Sequence, residues 1–223
     1  DLVREIEAHF SGAHVVWVDL DTLENRVTAL EGEWRVPGSD VAQEPVKLVV
    51  STFSMTPEKA ERIDFAGPYF VDLQGFFTRD DATDLSRVNR SRICVLKDSR
   101  SDQKLTQAGW NPVREKSLAA CFNDYNEGSV DAVSNDRSLI AGYAQALGRK
   151  VAPLNYGAEK YGVAMPNNMP GLCAELSEVI NDFLTYSWAE SFRGNLAPLG
   201  LAENDYTRPP TAEACERPEP WYD

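Results

Sequence analysis

At 223 residues and 43% hydrophobic content, the chain is long enough to bury one large core or two smaller ones. Its 22 Lys and Arg against 35 Asp and Glu leave a formal charge of -13, so a nucleic-acid backbone or an anionic membrane meets net repulsion, and no nucleic-acid partner is expected. The longest apolar runs, residues 48–50 and 93–96, fall far short of the ~20 residues that cross a bilayer.

No charged-then-apolar leader opens the sequence, so an export signal is expected to lie upstream of Asp1 or to have been removed. Leu2, Val3, Ile6 and Phe10 recur at helical spacing with Gly12 behind them, which predicts an amphipathic helix at the start. Residues 14–19 read as a short buried strand, 22–30 as a helix and 46–51 as a second strand rich in Val and Leu. The apolar, aromatic run over 69–79 is too long for a simple loop, and 156–165 offers a second run of that kind; two such crossings predict two lobes joined by a hinge. Between them α/β units alternate: strand 92–96, helix 101–108, helix 117–126 before Gly128, strand 130–134, helix 137–147 before Gly148. A helix over 170–186, continued at 188–192, is expected to pack back on the first lobe and make it discontinuous in sequence. Beyond Leu201 the composition turns to Asn, Asp, Pro and Glu, and 206–223 reads as an extended tail. The expected organisation is a first lobe of 1–72 and 160–205, a second of 73–159, and the tail. An α/β lobe ordinarily begins with a strand that feeds its first helix; here the helix comes first, so the first lobe is expected without its N-terminal strand.

The cysteines, Cys94, Cys121, Cys173 and Cys215, show no C-x-x-C spacing, and only His9 and His14 are available to complete a metal site, so no metal or other cofactor is expected. An even count fits two disulfides in an oxidising compartment or four buried thiols, and three pairings are open. There is no phosphate-binding glycine loop, no G-x-S-x-G and no H-E-x-x-H, so the chain is not expected to be an enzyme. His9 is placed on the wet face of the first helix and His14 at a strand start. Trp17, Trp34, Trp110 and Trp188 are expected in the core, with Phe53, Phe70 and Tyr161 as the aromatic candidates for a cleft. The sequon Asn89-Arg90-Ser91 is discounted as a short chance match.

Three segments carry a family resemblance. STFSMTPEKAERIDFAGPYF at 51–70 places Thr56 as a helix N-cap and Pro57 at the first helical position. VDAVSND at 130–136 is a strand ending in an acid, followed by a helix, and YGVAMP at 161–166 is a re-entering strand. Together they resemble the amino-acid solute-binding proteins that serve ABC importers, over the chain from its first helix to about Leu199. The resemblance implies a type II periplasmic-binding-protein fold, α/β, with two lobes each built on a mainly parallel sheet flanked by helices. It implies an extracytoplasmic monomer that binds a small polar solute, an amino acid or related acid, in a cleft and delivers it to the membrane permease of an importer. Thr52, Phe53, Ser54, Lys59 and Tyr161 would contact the ligand from one lobe and Ser99, Arg100, Asn135 and Asp136 from the other, with Asp136 on the ligand's α-ammonium group. The alternative role for Asp136, read from the residues alone, is only to cap the helix behind it. The resemblance also implies a Cys94–Cys121 bridge and, with it, a Cys173–Cys215 bridge that ties the tail.

The sequence departs from that pattern in three places. Lys59 stands where the family has an arginine, and lysine offers a point charge rather than a two-pronged donor. Asp98 occupies a glycine position with Arg100 beside it, and the strand that would precede the first helix is not in this sequence. These departures favour a second reading, in which the two lobes are the ligand-sensing or interaction ectodomain of a larger membrane protein adjoining a signalling partner.

Overall fold

The computed structural model describes residues 1–13, 15, 17–18, 20, 23–32, 46–79, 84–209 and 211–214. In chain order its elements are α1 (Leu2–His9), α2 (Leu23–Leu30), α3 (Pro57–Ala60), β1 (Ile63–Thr78), β2 (Ile93–Leu96), α4 (Arg100–Gln107), β3 (Val113–Glu115), α5 (Leu118–Glu127), β4 (Ala132–Asp136), α6 (Arg137–Ala146), β5 (Asn155–Pro166), α7 (Pro170–Asp182), α8 (Trp188–Asn195) and β6 (Glu213–Ala214). The chain divides into two compact units, one of Asp1–Val71, Lys160–Phe192 and Thr207–Asp223, the other of Asp72–Glu159 and Arg193–Tyr206. The two long aromatic runs form β1 and β5, and each passes from one unit into the other.

In the second unit the strand order is β3-β2-β4-β1. β2 pairs in parallel with β3 and β4, and β1 runs antiparallel to β4. Successive residues of these strands feed opposite faces, which is why the strands read as unbroken apolar runs. Phe77, Cys94 and Val133 join Phe122, Tyr125 and Ile140 from α5 and α6 on one face. Phe76, Ile93, Val95 and Ala132 join Leu105 from α4 on the other. Ser117 caps α5 by accepting from Ala120 N, and Gly128 ends that helix in a left-handed conformation, φ 82°, as its place behind the helix predicts. Residues Arg193–Tyr206, with 193–205 read from the sequence as first lobe and Tyr206 as the start of the tail, group with this unit: Gln145 Nε2 donates to Pro198 O at 2.9 Å, and Arg137 meets Asp205 at 3.5 Å.

The first unit packs α2 against a core of Val27, Leu30, Val49, Phe53, Met55, Ile63, Phe65 and Ala164. Its antiparallel pairings include the Val49–Ala164 and Ser54–Tyr161 bridges and β6 on β1 at Ala66 and Gly67, and β5 is the neighbour of β1 in the sheet. The strand expected over 46–51 is thus a single bridge at Val49. In the stretch 14–19, the described residues Val15, Trp17 and Val18 form no strand, and Trp17 is 78% exposed rather than in the core. The apolar run there has no described partner strand to lie against, and an unpaired strand buries nothing. His14 and Trp34 fall outside the described residues; His9 is half-exposed, 3.8 Å from Glu175. Between α7 and α8 the helix widens to a π turn over Phe183–Ser187.

Cys94 and Cys121 are bonded, tying β2 to α5, and Cys173 is also disulfide-bonded; Cys215, its expected partner, lies outside the described residues. The Cys94–Cys121 bridge closes a loop with a sequence separation of 27. Cys94→Ala with Cys121→Ala is therefore expected to lower the unfolding free energy by roughly 3 kcal/mol, read from urea denaturation. A free-thiol count on unfolded, unreduced protein is expected to give none.

Candidate functional site

In the first unit, α3 begins as Thr56 and Pro57 predict: Thr56 Oγ1 accepts from Lys59 N, and Pro57 occupies the first helical position. This turn brings Lys59 back over the residues before it. Its ammonium donates to Ser54 O at 2.9 Å and lies 4.9 Å from the centroid of the Phe53 ring. Arg26, on α2, reaches the same ring at 5.7 Å and donates to Thr52 O at 3.0 Å. Ser54 bridges to Tyr161 on β5, and Tyr161 stacks on Phe70, which also faces Trp188 and Phe192. All five residues expected on this lobe are therefore gathered in one place. Phe53 and Tyr161 are buried there, Phe53 carrying the two cations on its ring and Tyr161 packing on Phe70. Arg26 was not foreseen; its only signal was a basic residue within an otherwise half-buried helix.

In the second unit, Asp136 ends β4 and Ser99 precedes α4. Ser99 Oγ caps α4 by accepting from Asp102 N at 3.2 Å. Asp98, at the position where the family carries glycine, has φ 61°, in the left-handed region that a side chain disfavours, and its amide donates to Asp102 Oδ2. Arg100 places its guanidinium on Gln103 at 2.8 Å and beside Glu159 at 3.5 Å. Glu159 is 4% exposed and also has Lys104 at 3.5 Å, so a buried carboxylate balances two cations on successive turns of α4.

Asp136 stands at the N-cap of α6 and makes no side-chain cap bond. The capping is done by Asp72 on β1, whose carboxylate accepts from Ser138 N at 3.2 Å and from Ser138 Oγ. Asp136 Oδ1 accepts instead from Gln74 Nε2, and Asp136 N donates to Asn135 Oδ1 at 2.7 Å. Gln74 Oε1 in turn accepts from Ser101 Oγ and from Tyr156 Oη at 3.2 Å. This network draws the end of β4 and the first turn of α4 together. Gln74, Tyr156, Lys104 and Glu159 were missed from sequence, although a lone glutamine in an aromatic strand was a visible signal. Among the described residues no group of three or more His, Cys, Asp or Glu is placed to hold a metal, and no helix is long and apolar enough to cross a membrane.

No protein-family model matches the chain. It is 26% identical over 106 residues to the glutamate-binding protein GluB of Corynebacterium efficiens, 45% of this chain and 36% of that protein. It is 22% identical over 142 residues to a glutamine-binding protein of Geobacillus stearothermophilus, 59% of this chain and 53% of that protein. The chain thus spans between about a third and a half of these relatives' length. Among solved structures, a variant of ArgBP from T. maritima superposes with a TM-score of 0.72 at 18% identity, covering 88% of this chain and 83% of that one. The GluR0 ligand-binding core from Nostoc punctiforme, in complex with L-glutamate, gives a TM-score of 0.72 at 17% identity, covering 88% and 89%. The fold is that of the type II periplasmic binding proteins, and the relatives are binding proteins rather than enzymes.

Burial raises the pKa of three tyrosines well above the ordinary phenol value: Tyr69, Tyr206 and Tyr156, the last also facing the charges of Asp136 and Glu159. A folded-state pKa raised in this way gives stability that is present below the unfolded value of about 10 and lost as pH rises past it. In an alkaline titration these three phenols are expected to ionise only as the protein unfolds, seen as a late step in tyrosinate absorbance coincident with loss of circular dichroism. Smooth ionisation of every tyrosine before any loss of structure is the contrary result.

Proposed function

We propose that this homologue of the amino-acid solute-binding proteins of ABC importers is itself an extracytoplasmic receptor for a small polar amino acid, which it delivers to a membrane permease. The observation that carries the reading is the placement of Asp136. A carboxylate only 8% exposed, making no cap bond to the helix it begins and held by an amide, is suited to a donor group, and a ligand ammonium offers three donors and a compensating charge. In the first unit, Lys59 and Arg26 supply positive charge beside Thr52, Phe53 and Ser54, suited to a ligand carboxylate. Ser99, Arg100 and Asn135 in the second unit and Tyr161 in the first complete the ligand-contacting set. A zwitterion leaving water needs both signs of charge, and the chain presents both. Each of these residues acts by non-covalent contact, and no catalytic group is assigned.

The second reading, a ligand-sensing ectodomain, is favoured by one specific observation: Lys59 already spends its ammonium on Ser54 O and Phe53, and Arg100 on Gln103 and Glu159. The likeness to the GluR0 ligand-binding core accords with it. A lipoprotein leader on a stand-alone gene product speaks for transport; an adjoining transmembrane helix and signalling domain speaks for sensing.

The test is a thermal-shift panel of glutamate, glutamine, arginine and related acids, since a ligand at ~100 times its dissociation constant adds about 2.7 kcal/mol of stability. At least one amino acid is expected to raise the Tm, and Asp136→Ala to abolish that rise. A flat response across the panel removes the receptor reading.

A further inference from the structure

We propose that Gln74 is a positioning residue that makes the protein selective for ligands bearing an amine, by aiming the carboxylate of Asp136 from the strand beside it. The proposal rests on the reading that Asp136 receives the ligand's ammonium group. Gln74 stands directly opposite Asp136 in the β1–β4 ladder, so the two side chains leave the same face of the sheet as neighbours. It is fully buried, and a buried amide is stable only if both its ends are satisfied. Its oxygen has two hydroxyl donors, Ser101 Oγ and Tyr156 Oη, and its nitrogen has the carboxylate of Asp136. Turning the amide over would set its oxygen against a carboxylate oxygen, two acceptors in contact with no proton between them. The acceptor-only carboxylate of Asp136 therefore fixes the donor end of Gln74 toward itself, and the hydroxyls on α4 and β5 hold the oxygen end in place.

The consequence for Asp136 is directional. A free carboxylate at the start of a helix swings onto the helix's own first amides. Here Asp72 already holds Ser138 N, and Gln74 holds Asp136 on its other side. Asp136 thus keeps one rotamer, with a charged acceptor presented in a constant place. Preorganisation of this kind matters most for the group that the carboxylate meets, the ammonium, and little for the rest of the ligand.

The experiment uses Gln74→Met, which keeps side-chain length and removes both amide ends, and Tyr156→Phe, which removes only the hydroxyl behind Gln74. Affinities are measured by calorimetry for the amino acid that stabilises the unmodified protein, and for its des-amino analogue, which has the same carbon skeleton without the ammonium. Gln74→Met is expected to lower the preference for the amino acid over the analogue by roughly tenfold, while affinity for the analogue stays within about twofold. Tyr156→Phe is expected to move the ratio in the same direction by less. A ratio unchanged in the folded variants, or an equal loss for both ligands, overturns the proposal. Should Gln74→Met fail to fold, the ratio for Tyr156→Phe decides alone. If the unmodified protein binds no amine-bearing ligand, the receptor reading itself has failed and the proposal falls with it.

Discussion

The antiparallel register of β1 on β4 sets Gln74 opposite Asp136 and Gly75 opposite Asn135. A slip of one residue would turn every β1 side chain to the other face, taking Gln74 away from the acid and pressing Phe77 and Phe76 into the wrong cores. The register is therefore held by the same burial that the site depends on. Phe76 and Phe77 each fill a separate hydrophobic cluster, and neither exchange of faces is tolerated at close packing. The polar pair next to them inherits its alignment from those rings.

Around that pair the second unit assigns each acid a different task. Asp72 caps α6, Asp102 closes the turn before α4 and pairs with Arg114, Glu159 balances Arg100 and Lys104, and Asp136 is left to face Gln74. The division matters because a buried carboxylate is costly wherever it lacks donors. Asp72, Asp102 and Glu159 each take a structural duty, and the carboxylate at the end of β4 takes its hydrogen bond from the β1 amide. In the first unit the comparable arrangement is a cationic one, with Arg26 and Lys59 on the Phe53 ring and the carbonyls of Thr52 and Ser54 as their acceptors.

Local chemistry made much of the fold legible. Helices α1, α2 and α4 to α7 follow from the sequence pattern, with Ser117, Pro170 and Gly128 as bounds, because capping and periodicity are properties of a few consecutive residues; Ser99, the cap of α4, reads from the sequence only as a ligand contact. The short helix after Thr56 followed for the same reason, and the resemblance carried the Cys94–Cys121 pair. The strand expected over 14–19 failed at Val15, Trp17 and Val18, because an apolar run becomes a strand only when another strand is there to pair with it.

From its residues alone, then, the chain determined its alternation of elements, its acidic charge, and the presence of capped turns around candidate polar groups. Which of Asp72 and Asp136 would cap α6, which amide would stand behind Asp136, and which cations would meet Glu159 were decided by tertiary structure. Those partners lie tens of residues apart in sequence, and strand register, which no local window encodes, is what brings them within a hydrogen bond of one another.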